Sequence, residues 1–317
     1  MDLAIEASGL LKQYPGLKGE PALRDFEITI PHGELYGLVG PDGAGKTTAL
    51  RILATVLNAT SGSAKIDGFD VRSQSEAVRT RIGYMPQNFS LYPDLSVVEN
   101  LSFFADLNGI AREKRKTRME EMLSFTRLDD FRRRRAADLS GGMKKKLALA
   151  CALIHEPAVL LLDEPSTGVD PVSRRELWRI LADVVRRGVT VLVSTPYMDE
   201  AERCHTVGML YQGRLLVSGS PEELESGLPF HIVEVKARPR KQMRQIVSET
   251  PGIISWRPVG DRLRLETPNS GSQVEDMLSL LGARLREGAL DIDLLRESKP
   301  MMEDVFVHLV STRRGLQ

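Results

Sequence analysis

The sequence predicts an α/β fold, a parallel sheet covered by helices on both faces and followed by a smaller second α/β domain. Three observations carry this. Short apolar runs alternate with longer amphipathic stretches, the order that builds parallel sheets. Two of those runs, "AVLLL" and "VTVLVS", are strongly apolar, as strands buried on both faces are. Past Gly227 and Pro229 the pattern changes to short strands and helices in the order β-α-β-β-α-β, a split-βαβ arrangement. The expected domains are therefore residues 1–227 and 228–317, in a chain of 317 residues that exceeds ordinary single-domain size.

Taken in order, "FEITI" and "ELYGLVG" read as strands that lead into a Gly-rich turn and the helical stretch "KTTALRILATVL". Leu101, Phe104, Leu107, Met119, Met122 and Leu123 recur at helical spacing in a charged stretch, which predicts an inserted helical subdomain over about 95–157. The strand "AVLLLD", the helix "SRRELWRILADVVRRG", the strand "VTVLVS" and a helix at "PYMDEAERC", with His205 along it, come next. "TVGMLYQGRLLVSG" reads as a hairpin turning at Gln212 and Gly213, and Ser220 with Pro221 reads as a helix start. The second domain reads as "HIVEVKA", a helix over 241–248, the hairpin "IISWRPVG" and "RLRLET", a helix near Ser272 to Leu281, an extended piece near Leu290 and a last helix from Met301.

Hydrophobic residues at 42% and charged residues at 27% are those of a folded globular chain, which excludes disordered, collagen-like and disulfide-framework classes. Forty-three basic residues balance forty-three acidic ones, so no nucleic-acid partner is expected. The runs Arg132–Arg135 and Lys144–Lys146 read as solvated helix faces. No apolar run approaches the roughly 20 residues that span a bilayer, and the first residues lack a secretory pattern, so a cytoplasmic chain is expected. Cys151 and Cys204 have no metal-site spacing and read as reduced, structural thiols.

Gly40-Pro41-Asp42-Gly43-Ala44-Gly45-Lys46-Thr47-Thr48 fits G-x-x-x-x-G-K-S/T between an apolar strand and a helix. Such a loop turns backbone N–H groups and a helix N-terminus toward phosphate. Lys46 would reach the β and γ phosphates of ATP, Thr47 would place its hydroxyl on Mg²⁺, and Thr48 would reach a phosphate oxygen. Asp163 and Glu164 end a buried strand, where unpartnered carboxylates are rare. Beside a phosphate loop, Asp163 would hold Mg²⁺ through its water shell, and Glu164 would orient or deprotonate the attacking water. Ser140, Gly141 and Gly142 open an amphipathic helix whose N-terminus can donate to phosphate.

With "DLSGGMKKKLALACAL" in place, the sequence resembles the ATP-binding subunits of ABC transporters, whose signature begins LSGGQ; Met143 stands where that glutamine would be. The resemblance covers roughly residues 3–220. It implies an ABC-type fold, with an antiparallel β subdomain beside the parallel core. It also implies that Tyr14 stacks on adenine, that Gln87 touches Mg²⁺ and water, and that "STGVDP" with Asp170 links two ATP sites. The signature at Ser140 to Gly142 closes the site of a second ATP-binding domain. The tail "MMEDVFVHLV" is similar to that of the daunorubicin-resistance type of drug exporter, found either as single-domain subunits or as tandem subunits with two such halves, of which this chain would be the N-terminal one. The implied partner is a membrane permease, which would hold the chain on the inner face of the cell membrane.

One position departs from that pattern. Where the family has a histidine that contacts the γ-phosphate, this sequence has Pro196, which has neither imidazole nor N–H. Binding is expected to persist and hydrolysis to fall by a factor on the order of 10² to 10³. Two other readings stay open: a regulatory half that binds ATP without turning it over, and a soluble ABC-type ATPase acting on ribosomes or DNA.

Overall fold

The computed structural model describes residues 3–16, 19–88, 90–269 and 273–314. Ser272, the expected start of a helix, and Leu17 and Lys18 of the insertion after Tyr14 lie outside the described residues. Two compact units form, Met1–Pro221 and Glu222–Gln317.

The first unit opens with β1 (Leu3–Lys12), β2 (Leu23–Pro31), β3 (Leu35–Val39), α1 (Lys46–Leu53), β4 (Ser61–Ile66), β5 (Phe69–Asp70), α2 (Ser75–Arg79) and β6 (Ile82–Met85). It continues through α3 (Val97–Leu107), α4 (Arg112–Thr126), α5 (Gly141–Leu153), β7 (Val159–Asp163), α6 (Pro171–Arg186), β8 (Thr190–Thr195), α7 (Met198–Ala201), β9 (Thr206–Tyr211) and β10 (Arg214–Gly219). After α8 (Pro221–Ser226), the second unit holds β11 (Phe230–Arg238), α9 (Arg240–Ser248), β12 (Ser255–Val259), β13 (Arg262–Pro268), α10 (Gln273–Glu287), β14 (Asp291–Ser298) and α11 (Met302–Arg314).

Two sheets build the first unit. The antiparallel one has the order β2-β1-β4-β5, and in β2 the alternating Phe26, Ile28 and Ile30 point into the core while their neighbours face outward. The other sheet has the order β10-β9-β3-β8-β7-β6, parallel from β9 to β6 with β10 as an antiparallel edge. β3, β7 and β8 are buried at every residue, as their unbroken apolar runs require. Leu50, Ile52 and Leu53 of α1 share one core with Phe26 and Ile30 of the antiparallel sheet and Leu161 and Leu192 of the parallel sheet. The β9–β10 turn falls at Gln212 and Gly213, both with positive φ, as a two-residue hairpin turn needs.

In the inserted helical region, Ser96 and Glu99 form a reciprocal capping box at the start of α3. Leu101, Met122 and Leu123 are buried there, whereas Leu107 is exposed. The helix expected at "PYMDEAERC" is a single turn, and His205 is not on it. The chain leaves α7 early because β9 must pair with β3: the His205 amide donates to the Leu35 carbonyl at 2.9 Å, and its Nδ1 accepts from the Leu35 amide at 3.2 Å.

The second unit is an antiparallel sheet of order β12-β13-β11-β14. Val233 and Val235, Leu263 and Leu265 pack with Met243 and Val247 of α9 and Leu281 and Leu285 of α10. Arg264 of β13 stands directly opposite Glu234 of β11, is buried, and donates to Glu234 at 2.8 Å and to Asp304 at 2.7 Å.

Candidate active site

Four neighbouring strands, β3, β8, β7 and β6, bring their carboxyl ends to one edge of the parallel sheet, where open α/β sheets place their ligands. Gly40 follows β3, Asp163 ends β7, Thr195 ends β8, and Gln87 lies two residues beyond β6. A cavity of about 430 Å³ opens there, lined by residues 42–48 with Ala22, Gln87 and Glu164. Gly45 has φ +111°, and a Cβ on it would meet the Ala22 carbonyl oxygen at 2.4 Å, so only glycine lets α1 begin there.

Lys46 is buried, and its ammonium donates to the carbonyls of Gly40 at 2.8 Å and Pro41 at 3.1 Å and stands 3.4 Å from Glu164 Oε1. Thr47 Oγ1 donates to Asp163 Oδ1 at 3.0 Å, and Ser194 Oγ donates to the same oxygen at 2.8 Å. The other oxygen, Oδ2, is buried and has no hydrogen-bond partner. Burial pushes the Asp163 carboxyl above the usual carboxylate range; bonds from Ser194 and Thr47 pull it back and neighbouring Glu164 adds to the rise. A buried oxygen without a donor, beside a threonine hydroxyl at a helix start, suits a hard divalent cation.

Glu164 is 5% exposed and holds φ +49°, the left-handed region that non-glycine residues rarely adopt. Its backbone N–H donates to Ser194 Oγ at 3.0 Å. Its Oε2 accepts from Gln87 Nε2 at 3.0 Å and from Thr167 Oγ1 at 3.3 Å. Thus Lys46, Gln87 and Glu164 form one bonded group and Thr47 and Asp163 another, and Ser194 joins the two across 119 positions of sequence.

The remaining expected residues divide between the loop and positions that do not line the cavity. Asp42 and Gly43 are exposed at the mouth and Ala44 is buried behind them. The Tyr14 hydroxyl lies 3.3 Å from Thr48 Oγ1, and Tyr14 is not among the cavity-lining residues. Ser140 caps α5 by accepting from the Met143 amide at 3.3 Å, and Ser140, Gly141 and Gly142 do not line the cavity. Asp170 caps α6, accepting from Val172 and Ser173 at 3.0 Å each. Pro196 follows β8 directly, half-buried.

Lys145 corrects one expectation. The sequence pattern puts it on a solvated face, yet it is buried and its ammonium donates to the carbonyls of Gln87 at 3.1 Å and Glu164 at 3.5 Å. Burial holds its pKa below the usual lysine value, against the opposing charges of Asp163 and Glu164. Its position four residues after Gly141, on the face that also carries Ala148 and Leu149, was the signal available in the sequence. Thr167 and the buried Glu200 also escaped sequence reading, because their partners are distant in the chain or lie in an irregular turn.

The family described as ABC transporter matches residues 23–167. A "Probable multidrug ABC transporter ATP-binding protein YbhF" of Escherichia coli (strain K12) is 41% identical over 312 residues, 98% of this chain and 52% of its own length. The chain thus spans about half of that relative. The daunorubicin/doxorubicin resistance ATP-binding protein DrrA of Streptomyces peucetius is 34% identical over 301 residues, 93% of this chain and 90% of its own. Among solved structures, an ATP-binding subunit of an ABC transporter superposes with TM-score 0.64 at 27% identity, over 70% of this chain and 92% of that one. A dimer of the cassette MJ0796 in a post-hydrolysis state with ADP and Pi gives TM-score 0.63 at 26% identity, over 68% and 98%. Matched along nine-tenths of a drug-resistance ATP-binding protein and folded as the solved cassettes are, this chain belongs to the ATP-binding subunits of ABC transporters, in the branch that holds the drug exporters.

Proposed function

We propose that this chain binds Mg-ATP in the cavity at the strand ends, hydrolyses it, and by ATP-driven dimer closure powers an exporter through a membrane permease. The observation that carries the reading is the bonded pair Thr47–Asp163 next to the pair Gln87–Glu164 on one cavity beside Lys46. The loop 40–48 and Lys46 hold the β and γ phosphates, with Lys46 exchanging Glu164 for phosphate oxygens and Thr48 reaching one more. Thr47, Asp163 and Gln87 hold the cation; Mg²⁺, when bound, neutralises charge on the phosphate being transferred. Glu164 orients or deprotonates water from a carboxylate fixed by Gln87 and Thr167.

Tyr14 takes the adenine side. Ser140, Gly141 and Gly142, outside this cavity, complete the site of a second ATP-binding domain. The division into an ATP-binding domain over 1–227 and a C-terminal α/β domain over 228–317 belongs to the same reading, as does the place of this chain as one half of a tandem subunit at the inner membrane face. The match over about half of a longer relative supports that tandem reading.

Pro196 favours a second reading, a half that binds ATP and licenses a partner while turning over little itself. Equilibrium binding and single-turnover hydrolysis, measured separately on the parent and on Pro196→His, divide the two, since only the first reading has the parent turn over the ATP it binds. The parent binds and hydrolyses slowly, and the variant gains on the order of 10² to 10³ in rate. An unchanged rate removes Pro196 as the cause, and a parent that does not bind Mg-ATP removes both readings.

A further inference from the structure

The turn that bears Pro196 is tied to the turn that bears Glu164 by a carboxylate outside the cavity. Glu200, the third residue of α7, is fully buried. Its Oε2 accepts from Thr195 Oγ1 at 2.5 Å and from Ser166 Oγ at 2.9 Å. Its Oε1 accepts from Trp178 Nε1 at 3.0 Å and lies 3.5 Å from Arg174 Nε. Thr195 immediately precedes Pro196, and its hydroxyl also accepts from the Tyr197 amide at 3.1 Å, so both neighbours of Pro196 are held. Ser166 lies two residues after Glu164, inside the turn whose Thr167 hydroxyl donates to Glu164 Oε2. Arg174 and Trp178 extend the tie to α6, which that turn enters through Asp170.

A buried carboxylate is costly unless its oxygens are filled, and here three hydrogen-bond donors and the charge of Arg174, from three segments, meet them. Two of the three donors, Ser166 and Thr195, come from the turns after Glu164 and before Pro196. We infer that Glu200 is a positioning residue: by accepting from Ser166 and Thr195 on one oxygen, it makes the turn after Glu164 and the turn at Pro196 move as one body. The pairing of β7 with β8 and the bond from the Glu164 amide to Ser194 already hold the strand ends together, and this link behind the site extends that hold to the turns themselves. The coupling stands on the hydrogen bonds alone; its consequence for hydrolysis rests on the function proposed above.

The test uses the full chain with Ser166→Ala and Glu200→Gln, the first covering the case that Glu200→Gln fails to fold. Amide exchange is followed in residues 164–170 and 195–200, together with Mg-ATP affinity and single-turnover rate. Ser166→Ala speeds exchange at the Tyr197 amide, across the tie from the substitution, by about tenfold, and Glu200→Gln does so in both turns. Single-turnover rate falls by about tenfold or more in each, with Mg-ATP affinity within about twofold of the parent. Exchange that rises only in 164–170 for Ser166→Ala overturns the inference, as does an unchanged turnover with ATP bound, or a loss of affinity in step with rate that marks a merely structural carboxylate. If the parent binds no ATP, the proposed function fails and the exchange result alone decides the coupling.

Discussion

Lys145 places an ammonium against two carbonyls that belong to the site, those of Gln87 and Glu164. Replacing it by methionine keeps the stem and removes the donor, which leaves buried acceptors short of a partner. Lys145→Met is expected to cost about 1–3 kcal/mol of stability, read by urea unfolding, because an unmet buried polar group carries its desolvation penalty. Lys46 acts on binding instead, since its three neighbours are two loop carbonyls and Glu164, all placed around the phosphate cavity. Lys46→Ala is expected to weaken Mg-ATP binding by about 10- to 100-fold in equilibrium titration, the worth of a charge-assisted contact.

Between elements, the contact of α5 with α6 is set by one small residue. A Cβ on Gly142 would stand 2.4 Å from both Cβ and Oγ of Ser173, so the first turn of α5 approaches α6 more closely than any side chain allows. Gly142→Ala is expected to destabilise the first unit by about 1–3 kcal/mol by overpacking, measured as a shifted denaturation midpoint. The place of Gly142 in "LSGG" points to phosphate recognition, and its close approach to Ser173 adds a packing requirement. The one-turn α7 is governed in the same way: acidic residues favour a helix start at 199 and 200, but parallel pairing of β9 with β3 ends it.

At the scale of the whole chain, the two units draw their stability from different chemistry. The first rests on a large apolar core between two sheets, and the second combines a smaller apolar core with the buried network of Arg264, Glu234 and Asp304. Burial pushes the Asp304 carboxyl up, and bonds from Arg264 and Arg257 outweigh it, so the group sits below the ordinary range; Glu234 is lowered against burial by Arg296 and Arg262. A depressed carboxyl stabilises the fold fully above its unfolded pKa, about 4, and that stability is lost as pH falls through the lower folded value. Unfolding of residues 222–317, followed by the fluorescence of Trp256, is therefore expected to shift to lower temperature as pH drops below about 4.5. Arg264→Met, which leaves two carboxylates without their central partner, is expected to cost about 3–5 kcal/mol at neutral pH.

Although β1, β4, β5 and β6 are not legible in the sequence, its local pattern carries β2, β3 and β7 to β10, the phosphate loop and the pair Asp163–Glu164, together with the β-α-β-β-α-β order of the second domain. Each of these is written in neighbouring residues, as unbroken apolar runs, alternation, or glycines ahead of a lysine. The tertiary structure decided that Gln87 meets Glu164 across 77 positions, that Lys145 is buried beneath both, that His205 pairs strands, and that Glu200 gathers Ser166, Thr195 and Trp178. A polar side chain in a helix looks the same in sequence whether it meets water or a buried carbonyl. Only the packing of segments distant in the chain settles which it meets, because burial and hydrogen-bond partners are properties of the assembled sheet and not of the local pattern.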